Sequence, residues 1–489
     1  MPPSPHRVPR VVAAFALVVL ASCHDRGGGG AVPTASTGNR VDLATVREWN
    51  RIAIDASGLD HAPASTPPTH TFGHQLGPCR ASRAMAIVHV AMFEAVNAIE
   101  GDVASYVALP KVTHEASANA ALAQAAHDAL AALYPSQSAR FDADLDATLV
   151  VVADAAAMAE GVAVGHAAAA AVLQLRSADG SVHPEPRVGI EHVCSDAPGH
   201  WRQDPVSQHP LALGAWWSAV RPFVLTSADQ FRCDPPPAID SPEYAIAYAE
   251  AFAFGGDGIT TPTLRSDQQT FAAIFWAYDG LPSLCAPPRL YNQVTAQIAA
   301  QQGTDAFETV RLLALVNVAL ADAAIACWDA KYVFDYWRPV CAIRESDPGT
   351  GPTGLGDDNP LTAGDATFTP LGAPASNATG PNFTPPFPAY PSGHAAFGGA
   401  LFQVLRRFYG TDALQFRFVS DEWNGVTRDH EGNVRPRIVR HFATLSEAEN
   451  ENGQGRVWLG IHWRFDATAG ITQGNAVGDF VVDHLYAKR

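Results

Sequence analysis

Residues 307–339 read FETVRLLALVNVALADAAIACWDAKYVFDYWRP. Val310, Leu313, Leu315, Val316, Val318, Ala319 and Ala323 make a wide apolar stripe at helical spacing that leads straight to Lys331. A helix apolar over so broad a face needs neighbours on several sides, so packed helices are expected. A second helical region, 114–175, is dominated by alanine, with Leu122, Ala126, Leu130 and Leu133 in register. It predicts a helix pair that includes one helix over 141–166. Alternating patterns are sparse, and Pro/Gly-rich connections fill 177–222, 233–242, 255–262 and 347–391. The fold class expected is all-α, built of packed helical bundles.

At 489 residues and 47% hydrophobic, the chain can bury a large core. Its net charge of -17, with no basic stripe, argues against nucleic acid as a partner. In so acidic a protein, Lys331, Arg338 and Arg456 gathered together would focus positive potential in one pocket.

The N-terminus reads as an address. His6, Arg7 and Arg10 precede an apolar run from Val11 to Leu20, too short to span a bilayer but suited to a signal peptide. Leu20-Ala21-Ser22-Cys23 looks like a bacterial lipoprotein processing site, so 1–22 is expected to be removed. Cys23 would then carry the lipid, 23–40 would be a flexible tether, and the protein would be exported and membrane-anchored. An ordinary secretory signal is the alternative. Six cysteines remain: Cys79, Cys194, Cys233, Cys285, Cys327 and Cys341. They allow up to three disulfides or buried free thiols, and none has zinc-site spacing.

Three segments carry the chemistry. In the first, Lys331 and Arg338 are seven apart and would share a helical face. The bland version is a solvated face with Lys331 paired to Asp335 at i,i+4. Against it, both cations sit in the aromatic run Tyr332, Phe334, Tyr336, Trp337. Pro339 restricts Arg338, so the helix should stop there and its guanidinium project into a cleft.

The second segment, Pro391-Ser392-Gly393-His394, opens a buried helix. Ser392 suits an N-cap, and the same geometry offers an anion free N–H groups at a glycine where backbone can approach. His394 would stand beside that anion as an acid or base. The third segment is Arg456-x5-His462-x3-Asp466. If a helix begins near Gly460, His462 and Asp466 share a face and the carboxylate orients the imidazole, while Arg456 comes from the preceding loop. Read alone, the segment favours His462 as a core histidine satisfied by a neighbouring acid.

Taken in this order, the three segments resemble the signature of the vanadium-dependent haloperoxidases and of the acid phosphatases that share their site. Residues 385–390 (PPFPAY), 275–280 (FWAYDG), 287–293 (PPRLYNQ) and 80–86 (RASRAMA) are similar to the chloroperoxidase branch, from about Val41 to the C-terminus. One departure is Gly455, where the family usually has serine before the third-segment arginine.

The resemblance implies two four-helix-type bundles, 41–230 and 231–489, with the site in the C-terminal one. It implies vanadate as cofactor, with His462 ligating vanadium and Lys331, Arg338, Ser392, Gly393 N–H and Arg456 holding the oxygens. His394 would take a proton from hydrogen peroxide, Lys331 would polarise the bound peroxide, and Asp279 would pair with Arg456. Trp328 and Phe387 would shape a halide pocket. The expected activity is oxidation of halide by hydrogen peroxide to hypohalous acid, with room for an organic molecule to be halogenated. An acid phosphatase would use His462 as nucleophile and His394 to protonate the leaving alcohol. A non-catalytic oxyanion-binding lipoprotein would need the cations and helix end but gives His394 no work.

Overall fold

The computed structural model describes residues 39–63, 69–112 and 115–487. The leader 1–22, Cys23 and the tether up to residue 38 lie outside the described residues. Of the tether, Asn39 is tied to the fold, its carbonyl accepting from Ala118 N and its amide donating to Glu115 O.

Thirteen α-helices are present among the described residues. The first five are α1 (Leu43–Asp60), α2 (Gly77–Glu100), α3 (Ala118–Leu133), α4 (Ser138–Leu149) and α5 (Ala155–Arg176). After a long connection come α6 (Pro242–Gly255), α7 (Asp267–Phe275), α8 (Pro287–Gln302), α9 (Ala306–Phe334) and α10 (Pro339–Glu345). The last three are α11 (Gly393–Tyr409), α12 (Leu445–Trp458) and α13 (Arg464–His484). A two-stranded antiparallel ribbon, β1 (Phe416–Phe418) with β2 (Arg440–Phe442), is the only sheet among these residues. The all-α expectation therefore holds.

The helix expected over 141–166 is two helices. Leu149 ends α4, exposed Val150 and Val151 turn the chain, and the Asp154 carboxylate caps α5 by accepting from Ala156 N and Ala157 N. Alanine periodicity runs across that break, because alanine suits either helix and marks no boundary.

The stripe quoted above becomes α9, which packs on α2 along one side and on α11 and α13 along another. By length and composition α2, α5 and α9 could each cross a bilayer, but α2 and α9 lie 94% buried over their apolar windows, inside the protein. Polar residues on α9 are paired: Asn317 exchanges amide hydrogen bonds of 2.8 Å with Asn292, and Asp322 accepts from the N–H groups of Phe223, Val224 and Leu225. Those three bonds dock the connection before α6 onto α9. His89 is a core residue, bonded to Asn50 and Met85 O, with burial pushing its pKa down to about 4.

A seam of small residues joins α11 to α13. A Cβ on Gly474 would stand 2.1 Å from Ala396 O, and one on Gly470 would stand 2.6 Å from Ser392 O. Backbone contact this close fixes the start of α11 beside the start of α13. Gly474→Ala is therefore expected to destabilise the protein by about 2–3 kcal/mol through overpacking, outweighing the ~1 kcal/mol by which alanine favours a helix. A urea midpoint equal to that of the parent protein would show that the seam tolerates a methyl group.

Candidate active site

Lys331 lies in the last turn of α9, which ends where Asp335 takes a left-handed conformation (φ 49°). Arg338 is three residues beyond, as the cap of α10, so the two cations do not share a helical face. They converge because both reach the proline-rich loop 385–391. Lys331 Nζ donates to the carbonyls of Pro388, Ala389 and Pro391 at 2.8, 3.0 and 2.5 Å. Arg338 donates to Phe387 O at 2.9 Å and Pro385 O at 3.3 Å. Four prolines leave this loop short of N–H donors, and the buried cations satisfy its inward carbonyls instead. The Lys331 ammonium makes no ion pair with the Asp335 carboxylate, which pairs with His200, and the two residues are joined only by Asp335 N–H donating to Lys331 O at 2.8 Å.

The N-terminus of α11 is built as the sequence suggests. Ser392 caps it, its hydroxyl accepting from Ala395 N at 3.4 Å, and its own N–H donates to Asp466 O at 2.9 Å. Gly393 meets a packing demand as well, since a Cβ there would come within 2.9 Å of the Trp328 ring. As first-turn residues, Gly393 and His394 have N–H groups without intrahelical acceptors. Two residues not singled out in the sequence, Tyr291 and Asn452, pin this turn by donating to His394 O at 2.9 Å each. Tyr291 lies in the PPRLYNQ stretch; Asn452 is marked only as a polar residue where α12 buries a face.

His394 Nε2 bonds to Ala277 O. A carbonyl can only accept, so in the neutral ring Nε2 carries the proton and Nδ1 the lone pair. Burial, then the nearby Arg456 charge, lowers its pKa to about 3, so the ring is neutral at ordinary pH.

Arg456 belongs to the last turn of α12, not to a loop, and no helix begins at Gly460. It is fully buried and held by Asp279 at 2.9 and 2.6 Å, the bidentate pairing that the resemblance implied. Its Nε has no partner. Gly455 packs α12 on α7, where a Cβ would sit 3.4 Å from Ala273 Cα, and offers Arg456 no hydroxyl.

His462 and Asp466 are paired, but not as neighbours on one helix. His462 precedes α13, whose cap is Trp463, and Asp466 reaches back from the first turn to accept from Trp463 N at 3.0 Å and His462 Nδ1 at 2.7 Å. On the other side of the ring, Arg338 Nη1 stands 2.9 Å from Nε2. A guanidinium can only donate, so the tautomer is set from both ends: proton on Nδ1, lone pair on Nε2. Burial raises Asp466 to about 7, while burial and the Arg338 charge hold His462 well below the usual imidazole range.

A cavity of about 550 Å³ reaches this cluster. His394, Gly393, Arg456, His462, Asp279, Trp328 and Phe387 are on its wall; Lys331, Arg338, Ser392 and Asp466 stand behind it. Trp328 and Phe387 meet edge-on at 4.9 Å, with Lys331 Nζ 5.1 Å and Arg338 Cζ 5.1 Å from the Phe387 ring centre. The hydrogen-bond donors suit the oxygens of a tetrahedral oxyanion, with buried guanidinium groups, an orphaned Arg456 Nε and free helix N–H groups, and the His462 lone pair suits its electrophilic centre.

Burial lowers Lys331 to about 7. Above that pH its charge is lost, so oxyanion affinity should fall as pH rises. Sulfate, which does not titrate in this range, is expected to bind the apoprotein up to about fivefold more weakly at pH 8 than at pH 7, because the charged fraction of a group with a pKa near 7 falls from about one half to about one tenth. Affinity that stays level from pH 6 to 8 by calorimetry would place the Lys331 titration elsewhere.

All six cysteines from Cys79 to Cys341 are free thiols, and no His/Cys/Asp/Glu cluster among the described residues suits a metal ion.

The chain is similar to known proteins. Residues 311–488 match the family described as VCPO second helical-bundle domain. Vanadium chloroperoxidase of Curvularia inaequalis is 31% identical over 500 residues, covering 86% of this chain and 78% of that protein. A bacterial vanadium-dependent iodoperoxidase structure superposes with a TM-score of 0.70 at 24% identity, over 90% of this chain and 97% of that one. An apo-type bacterial vanadium-dependent chloroperoxidase does so with a TM-score of 0.62 at 17% identity, over 84% and 96%. The two structures establish a shared fold, and the curated relative's identity over most of both chains establishes descent: the chain belongs to the vanadium-dependent haloperoxidases, in the branch of the vanadium chloroperoxidases.

Proposed function

We propose that the protein is a vanadium-dependent haloperoxidase that oxidises halide with hydrogen peroxide to hypohalous acid, with vanadate as cofactor. The observation that carries this is His462, its Nε2 lone pair fixed by Asp466 on the opposite nitrogen. When bound, vanadate supplies Lewis-acid activation of peroxide without a change in oxidation state.

The chain's own residues divide the remaining work. His462 Nε2 would ligate the metal, and Arg338 Nη1, now 2.9 Å from it, would serve an oxygen. Arg456 Nε and the N–H groups of Gly393 and His394 would donate to its oxygens, while Asp279 holds the guanidinium in place. Lys331 has all three donors on carbonyls, so here it contributes charge; donation to an oxyanion requires it to leave one carbonyl. An anion in the pocket raises the His394 pKa from its depressed value, and its free Nδ1 takes a proton from hydrogen peroxide. Trp328 and Phe387 give halide an apolar wall that helps strip its water.

A phosphatase would use the same histidines, and no separate observation favours it. Vanadate should restore peroxide-dependent bromide oxidation to apoprotein, and phosphate should inhibit competitively. If phosphate supports phosphomonoester hydrolysis while vanadate restores no bromide oxidation, the phosphatase reading replaces this one.

A further inference from the structure

The RASRAMA stretch at the start of α2 has no part in the oxyanion cluster. Its two arginines, Arg80 and Arg83, instead line a second cavity of about 600 Å³ that shares no wall residue with the first. Arg176 of α5 is on the same wall, and no acid is. The three guanidinium groups are paired with only two carboxylates, which stand behind them. Glu185 holds Arg80 at 2.9 Å, and Asp179 is shared between Arg83 at 2.7 Å and Arg176 at 2.8 Å. One positive charge is left without a partner anion.

Hydrogen-bond donors are left over as well. Arg80 and Arg176 each spend all three guanidinium nitrogens on protein acceptors. Arg83 uses Nε on Asp179 and Nη2 on Arg176 O, so its Nη1 has no partner among the described residues. Trp217 is 1% exposed, yet its indole N–H is unpartnered, and so are Nε2 of His74 and Nε2 of His183. All three of these residues are on the cavity wall. Nearly all buried polar groups in native proteins have a hydrogen-bond partner. Four nitrogens that lack one, around a single cavity, point to a ligand that brings acceptor oxygens. Ile87, Leu133 and Leu173 make another part of the wall apolar.

We propose that this second cavity binds a monocarboxylate with an apolar body. Its oxygens accept from Arg83 Nη1 and Trp217 Nε1, and its body lies against Ile87, Leu133 and Leu173. A single negative charge matches the one unpaired guanidinium, whereas a dianion such as sulfate exceeds it and leaves the apolar wall uncovered. The interaction is binding alone, with no bond made or broken, and it is independent of the haloperoxidase reading.

Calorimetry on the full chain with benzoate, its neutral isostere benzamide and sulfate tests this, both without vanadate and with one equivalent of it. Benzoate should bind saturably in both states, at least about tenfold more tightly than benzamide or sulfate, the worth of one hydrogen bond to a charged group. Trp217→Phe keeps an aromatic ring and removes an N–H that bonds to nothing in the protein. It should lower benzoate affinity about tenfold and leave that of benzamide unchanged. Arg83→Gln should erase the preference for benzoate; thermal melts check that both variants fold, and Trp217→Phe carries the test if Arg83→Gln does not. No benzoate binding, equal affinity for benzoate and benzamide, or a preference that survives Trp217→Phe in full overturns the proposal. So does benzoate binding that vanadate abolishes, which would place the carboxylate in the catalytic cavity.

Discussion

His462→Ala binds vanadate more than about a thousandfold more weakly than the parent protein, a loss exceeding about 4 kcal/mol. This expectation follows from the tautomer. Asp466 on Nδ1 and a guanidinium on Nε2 leave one lone pair, on the one imidazole positioned to ligate the metal. Alanine removes that lone pair but leaves the Arg338 contacts to Ile461 O and Phe387 O, so the cationic pocket should persist. Calorimetry of apoprotein with vanadate measures the difference. Micromolar vanadate binding retained by His462→Ala would mean that the cations alone hold the anion and that the imidazole is a core residue.

His394→Ala should behave differently. Its carbonyl, not its ring, is what Tyr291 and Asn452 hold, so the start of α11 keeps its place when the ring is removed. Vanadate affinity should change little, while bromide turnover drops about 10²–10⁴-fold, the usual worth of a positioned acid–base group. A variant that loses vanadate binding as completely as His462→Ala would show that the ring shapes the pocket and moves no proton.

Much of the site was legible because the signals were local. Ser392 was readable as a cap from the helix that follows it, and the stripe from Val310 to Ala323 led to Lys331 without a break. The Asp279–Arg456 pair came only through the resemblance, since residues 177 apart carry no spacing signal. Tyr291 and Asn452 were missed for the same reason.

Residue type and order were enough, from sequence alone, to determine the helical class, the cap at Ser392, the cationic character of the pocket and the kinship. Helical spacing was a poorer guide to how these groups meet. Arg338 joins Lys331 across a chain reversal at Asp335, and His462 meets Asp466 because an N-terminal carboxylate folds back over its cap. Tertiary structure alone decided that Lys331 and Arg338 spend donors on the carbonyls of loop 385–391, and that both stand behind the cavity wall while Arg456 and His462 form it. The physical reason is burial: nearly all polar groups withdrawn from water find a partner, and which partner is near depends on the packing of α9, α11 and α13, not on any one segment.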